Sequence, residues 1–397
     1  MRKGSTESLD DAVAPVRELV VKLHERCNIA CDHCYMYEAA DQGWRRRPTR
    51  MADETVDRAA FRLGEHARRH RLGSVRVVFH GGEPLLAGPA TIERAMLSFR
   101  AALPPGSRVS FAVQTNGILL DERFLDLFRR FDVGVGVSLD GDRAANDRHR
   151  RYATGRSSYT STVAGIQALR SARNRRIYRG LLCTVDLRND PVRTFEALLD
   201  HEPPRIDFLL PHGNWAHPPP GLDPEVGDDR PTPYADWLIS VFDRWYDARP
   251  PETGIRMFES IMSLLLGGTS RTEVLGLAAP AAVVVESDGT FEGSDALKTT
   301  GPAGGSTGLS VFADSLDDVL RHPVVAGARR GLAGLDAQCR RCPVVDVCGG
   351  GLYAHRYAPD GTFTHPSVYS GDLRRLIEHI QGRLTADLRA SAARVSG

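Results

Sequence analysis

Residues 27–34 read CNIACDHC. Cys27, Cys31 and Cys34 bring three thiols into one short loop, with gaps of three and two residues. The chain has seven cysteines, at 27, 31, 34, 183, 339, 342 and 348, and six of them fall into two tight groups. An odd count in two close clusters argues against a disulfide framework and for metal or cluster binding. A Cys-x3-Cys-x2-Cys loop can wrap three corners of an iron–sulfur cube. Ferredoxin-type 4Fe-4S sites use four cysteines, so three leave one iron open to an outside ligand. An amine and carboxylate borne on one small molecule could chelate that iron, and S-adenosylmethionine is the obvious candidate. Zinc held by the three cysteines and His33 or His24 is the competing reading of the triplet alone.

The triplet follows a short β-branched run, ELVVKL (18–23). Outward from it, strands and helices alternate. Strands are expected at 74–80, 108–117, 133–141, 177–186 and 205–211, and helices at 52–70, 91–103, 121–131, 158–172 and 191–201, the last with Pro191 at its start. Six strands alternating with helices imply parallel βαβ units. In such folds the loops after the strands carry the active site. Here those loops are the cysteine triplet, GGEP (81–84), QTNG (114–117) and SLDG (138–141). Four chemically unusual stretches are therefore expected on one rim.

A Pro-rich segment (211–233) marks the end of this repeat, as a loop, insertion or lid. Helices are expected at 234–248 and 256–268. A hairpin at 281–295 should turn near Asp288-Gly289, and a helix over 372–395 closes the chain. The boundaries expected are a tail at 1–17, a barrel at 18–211, an insertion with bridging helices at 212–269 and a C-terminal domain at 270–397.

Composition narrows the function. The net charge is +1, with none of the basic excess of a nucleic-acid binder. The Arg run GWRRRPTR (43–50) reads as solvated surface. The longest apolar run, around 274–285, contains Gly276 and Pro280 and is too short to cross a bilayer. MRKGSTESLDDAV has no secretory pattern. These features predict a cytoplasmic protein without nucleic-acid or membrane partners. Cys183, isolated in an apolar strand, is expected to be a buried core thiol. The glycines of GVGVSLDG lie inside a strand pattern and form no G-x-G-x-x-G turn.

The triplet just after a first strand, followed in order by GGEP, QTNG and SLDG, resembles the radical SAM superfamily. That resemblance implies an α/β fold built as a partial (β/α)6, TIM-like barrel. It implies one-electron reduction of S-adenosylmethionine at a 4Fe-4S cluster, giving a 5′-deoxyadenosyl radical, with ferredoxin or flavodoxin as electron donor. Cys27, Cys31 and Cys34 would ligate the cluster. Gly81, Gly82, Glu83 and Pro84 would meet the amino group of S-adenosylmethionine, the glycines allowing close backbone approach. Ser138 and Asp140 would lie near its ribose and Arg150 at its carboxylate, with Gln114 and Asn116 on the same rim.

Cys339-x2-Cys342-x5-Cys348, followed by GGGLYAHRY (349–357), could alone be a zinc knuckle completed by His355. After such a barrel it resembles the SPASM/twitch extension, which holds auxiliary 4Fe-4S clusters. DFLLPHGNW (207–215), VVESDGTFEGSDALKT (284–299), residues 339–357 and HPSVYSGDL (365–373) resemble FxsB-type maturases of ribosomally made precursor peptides. Characterised members join an aromatic ring carbon to a nearby β-carbon, forming a cyclophane. The chain departs from the full pattern. Ser370 stands where relatives read SVYC, and Ser294 where many place a cysteine. One auxiliary cluster is expected, held by Cys339, Cys342 and Cys348, with Ser370, Asp372, His355, water or substrate as fourth ligand. Closing a bond from a Cβ radical to an arene must shed an electron and a ring proton. Asp295 or Glu292 are the expected proton acceptors.

Thioether formation, epimerisation and sulfatase formylglycine maturation remain open at this point. Epimerisation would need a hydrogen-donor thiol, for which Cys183 is the free candidate. Formylglycine maturation would fit more auxiliary cysteines than are present. A degenerate barrel that only binds peptide is the non-enzyme reading. With about 17 residues before the first strand, the precursor's leader is expected to dock on the barrel, on 211–233 or through another protein.

Overall fold

The computed structural model describes residues 14–223, 231–248 and 250–395. Most of the 1–17 tail and residues 224–230 of the Pro-rich segment lie outside the described residues. Six strands run parallel and side by side in chain order: β1 (Glu18–His24), β2 (Ser74–Gly81), β3 (Arg108–Thr115), β4 (Gly134–Ser138), β5 (Tyr178–Thr184) and β6 (Arg205–Leu209). This is the parallel α/β arrangement the alternation predicts, in the partial-barrel form the resemblance implies. Parallel strands covered by helices lose both faces to packing, so they read as runs of Val, Leu and Phe. Val21, Val77, Phe79, Val135, Val137 and Phe208 are all buried in this way. Cys183 on β5 is also buried, as expected.

The helices form for legible reasons. Asp53–Arg69 opens with Asp53 and Glu54, closes with Arg68 and Arg69, and buries Val56, Ala60 and Leu63. Acid at its start and base at its end complement the helix dipole. Glu122–Phe131 is capped by Asp121, whose side chain accepts from the Phe124 N–H.

The sheet does not stop at β6. A two-residue strand, β7 (Gly254–Ile255), pairs with β6. At the other edge β8 (Ala282–Val285) runs parallel to β1, with Val21 opposite Val285. The expected hairpin turns at Gly289 and returns as β9 (Thr290–Glu292), and β10 (Ser306–Ser310) closes the ten-stranded order. The C-terminal segment therefore continues the barrel's own sheet. The final helix, Ser370–Val395, starts two residues earlier than expected and packs on Pro233–Asp247, where His379 meets Asp243 at 2.8 Å. The Arg run at 43–50 is a partial correction: Arg45, Arg46 and Arg50 are exposed, but Arg47 turns inward among buried carboxylates. No helix among the described residues is long and apolar enough to cross a membrane.

Candidate active site at the barrel mouth

The four loops meet at the ends of β1 to β4. After β1 the chain turns through Cys27, Cys31 and Cys34, all half-buried and free. The Cys34 N–H bonds to the Cys31 carbonyl at 3.2 Å, and the Ala30 N–H to the Arg151 carbonyl at 2.7 Å. Burial pushes the Cys27 and Cys31 thiols up to about 12, and the neighbouring thiols push the same way. Three thiols so placed stay neutral unless a strongly thiophilic cationic group draws off their protons. The donor set therefore fits an iron–sulfur cluster with one corner left to an outside ligand.

GGEP locks onto this loop. The Gly82 N–H bonds to the His24 carbonyl at 3.0 Å and the Glu83 N–H to the Arg26 carbonyl at 2.9 Å. A Cβ on Gly82 would lie 1.8 Å from the Tyr37 hydroxyl and 2.5 Å from the Arg26 carbonyl carbon and oxygen. The close approach these glycines permit here is to the root of the cysteine loop. Glu83 is buried, and its carboxylate accepts from the Leu85 N–H at 3.0 Å, the Thr115 hydroxyl at 2.7 Å and the Asn116 N–H at 2.9 Å. Burial lifts this carboxyl to about 7 against those three donors. Asn116 in turn donates to Asn28 at 2.7 Å and lies 3.7 Å from Cys27 Sγ. Pro84 is buried and opens a short turn.

Gln114 donates to the Ser138 hydroxyl at 3.0 Å. Asp140 is buried and accepts from Arg150 Nε at 2.6 Å and from the Thr184 N–H at 2.9 Å. Burial would raise this carboxyl, but Arg150 and then His33 hold it below its ordinary value. Arg150 thereby stays beside Cys31 as a fixed cation, a placement suited to a carboxylate ligand. The structure brings all the barrel residues singled out from sequence onto one rim.

Asp295 follows β9 and reaches the same mouth. Its Oδ1 lies 2.6 Å from Lys22 Nζ, and its charge is felt by Tyr35, His80 and His212. Glu292 lies deeper, fully buried between Arg47 and Lys298. Lys22, Tyr35, His80 and His212 carry no motif signal, and sequence reasoning missed them. A cavity of about 410 Å³ opens beside Cys34, Tyr35 and His212 and is walled by Pro218, Pro219 and Pro220.

The second cysteine group forms its own site. Cys339, Cys342, Cys348 and Ser370 line one cleft of about 610 Å³. Asp372 lines it too, but its Oδ1 accepts the Ala235 N–H at 2.9 Å. His355 is buried and is not among the lining residues. Gly349, Gly350 and Gly351 all have positive φ (62°, 77° and 69°), a turn only glycine makes without strain. Arg356, also unsignalled in sequence, donates to all three of their carbonyls at 2.8–2.9 Å. Three cysteines and a hydroxyl around one cleft fit a second cluster.

Residues 21–201 match the family model described as the radical SAM superfamily. The matched stretch is the barrel with its mouth, so this part of the chain is similar to radical SAM proteins, whose cofactors are a 4Fe-4S cluster and S-adenosylmethionine. The chain is 22% identical to the cysteine-type anaerobic sulfatase-maturating enzyme of Clostridium perfringens, over 93% of this chain and 97% of the relative. Its fold is similar to that of native anSMEcpe with bound AdoMet (TM-score 0.77, 21% identity, 93% of this chain and 98% of that one). It is also similar to Streptococcus suis SuiB bound to precursor peptide SuiA (TM-score 0.54, 13% identity, 86% and 72%).

Proposed function

We propose that this chain is a radical SAM maturase that crosslinks a ribosomally made peptide, joining an aromatic ring carbon to a β-carbon. The observation that carries the reading is the convergence of the cysteine triplet, the Glu83-pinned GGEP loop and the Asp140–Arg150 pair on one rim, beside a proline-walled cavity. When bound, the cluster and S-adenosylmethionine supply a 5′-deoxyadenosyl radical that abstracts hydrogen. Cys27, Cys31 and Cys34 would hold the cluster, and Arg150 would meet the methionyl carboxylate. Gly81–Pro84, Gln114, Asn116, Ser138 and Asp140 would frame the rest of the molecule. Asp295 would accept the ring proton lost as the arene regains aromaticity, with Glu292 a deeper alternative. Cys339, Cys342 and Cys348 would hold an auxiliary cluster in the 270–397 domain that takes the electron, with Ser370 as fourth ligand. Ferredoxin or flavodoxin would be the electron donor.

Peptide as substrate is supported by one relative named as a sulfatase-maturating enzyme and by a structural neighbour solved with a bound precursor peptide. The crosslink is supported by the FxsB-like stretches at 207–215, 284–299 and 365–373. A second reading, formylglycine formation on a sulfatase, is favoured by the full-length similarity to the Clostridium enzyme.

The test is anaerobic reconstitution with iron and sulfide, then reduction in the presence of S-adenosylmethionine and two peptides. One is an aromatic-containing precursor and the other a sulfatase-motif peptide. The crosslink reading expects loss of two hydrogens from the precursor alone. An aldehyde on the sulfatase peptide would replace it with the second reading. No cleavage of S-adenosylmethionine would leave only the binding barrel.

A further inference from the structure

Lys22 sits in the middle of β1 and is fully buried. Its neighbours Val21 and Leu23 face the apolar packing, so by alternation Lys22 points to the opposite face. An ammonium there is tolerated only with anionic partners. The strand register supplies them. Lys22 is opposite His80 on β2. On the other side Val21 is opposite Val285, which brings Glu286 next to Lys22 at 3.6 Å. Asp295 arrives from beyond the hairpin and takes the ammonium at 2.6 Å, while Met36 Sδ lies 3.0 Å away.

The surrounding charges divide unequally. Glu286 is shared by Lys22, Lys298 and Arg47, and Glu292 by Lys298 and Arg47. Among the described residues Asp295 has one direct cation partner, Lys22, on Oδ1, and no described hydrogen bond takes Oδ2. Its side chain keeps 12% exposure, whereas those of Glu286 and Glu292 keep none. One oxygen is held, the other takes no donor among the described hydrogen bonds, and the side chain keeps some exposure, an arrangement that suits a proton acceptor.

We propose that Lys22 is a positioning residue for the radical chemistry: it orients the Asp295 carboxylate toward the barrel mouth and keeps it ionised as the substrate's proton acceptor. The proposal rests on the reading of Asp295 as that acceptor. The groups facing Asp295 are Lys22 from β1, Tyr35 from the cysteine loop, His80 from β2, His212 from beyond β6, Glu286 from just after β8 and Lys298 from the turn after β9. Burial and Glu286 raise the Asp295 carboxyl; Lys22 first, then Lys298 and His80, lower it, and the cations win. Without Lys22 the balance tips upward. Proton transfer would then move one proton from substrate to Asp295 Oδ2, and the electron would go to the cluster that Cys339, Cys342 and Cys348 would hold.

The experiment measures peptide modified per S-adenosylmethionine cleaved, from pH 5.5 to 9, in the reconstituted full chain. The wild type is expected to be flat across that range. Lys22→Met is expected to show an acid limb, falling tenfold per pH unit below a midpoint inside the range, and Lys22→Arg to restore the flat profile. A Lys22→Met profile parallel to wild type, at any level, overturns the proposal. Asp295→Asn separates the two layers: if it keeps full modification, the acceptor reading itself fails. Infrared difference spectra of wild type against Asp295→Asn need no charge-deleting variant of Lys22. They should show Asp295 ionised at pH 5.5, and a protonated Asp295 there overturns the proposal even if Lys22→Met does not fold.

Discussion

Glu83 Oε2 accepts the Asn116 backbone N–H at 2.9 Å, across 33 residues of sequence. With the Leu85 N–H and Thr115 hydroxyl on Oε1, one buried carboxylate pins the loop after β2 to the loop after β3. Asn116 then reaches Asn28, so the pin extends to the cysteine loop. Glu83→Ala leaves three donors facing a void. At about 1–3 kcal/mol per unsatisfied buried group, the variant should lose at least about 3 kcal/mol in denaturant unfolding. It should also bind less iron on reconstitution. A variant with unchanged stability and iron content would show that Glu83 is not the pin.

The Asp140–Arg150 pair predicts a pH signature. The folded Asp140 carboxyl lies below its ordinary value because Arg150 and His33 outweigh burial. Its stabilisation is therefore present above the unfolded value of about 3.9 and lost as pH falls through the folded value. Asp140→Asn should cost about 3–5 kcal/mol at pH 7, since it leaves the half-buried Arg150 unpaired. It should also flatten the loss of stability below about pH 4. Urea titrations at pH 3 to 7 read both, and equal acid sensitivity in the two proteins would count against the pair.

The two cysteine sites should separate by variant. Cys31→Ala should abolish S-adenosylmethionine cleavage. Cys342→Ala should keep cleavage, lose the iron of one cluster and stop peptide modification. Gly350→Ala should behave like Cys342→Ala. It has φ of 77°, and its added Cβ would lie 2.6 Å from Leu335 and 3.0 Å from Arg356, a strain of about 1–3 kcal/mol. Iron and sulfide analysis with electron paramagnetic resonance distinguishes these outcomes.

Ser370 shares its cleft with the three C-terminal cysteines. Ser370→Cys should give a second cluster that survives air exposure longer than the wild-type one, with a changed resonance spectrum. An identical spectrum would place the fourth ligand elsewhere.

Much of the barrel was legible because it is local. Each βα unit shows its period within about 30 residues, and every motif falls at a strand end. What stayed hidden depends on distant pairing. Lys22 looks like an odd polar residue in a strand because its partner Asp295 is 273 positions away. The β1–β8 pairing is invisible for the same reason. β7 is two residues long and carries no period. Arg47 was lost in an Arg run whose other members face water. Arg356 acquires its role only once three glycines turn their carbonyls toward it. Glu83 was singled out in sequence for a ligand contact, and its part as a pin between two loops shows only once the Leu85, Thr115 and Asn116 donors are in place.

The most direct measurement is mass spectrometry of an aromatic-containing precursor peptide after anaerobic co-expression with this protein, drawn from any short open reading frame next to the gene. The account predicts loss of two hydrogens, localised by fragmentation to an aromatic residue and a nearby residue, with no cysteine involved and with dependence on Cys31 and Asp295. An unmodified peptide, or a formylglycine made instead on a co-expressed sulfatase, would contradict it.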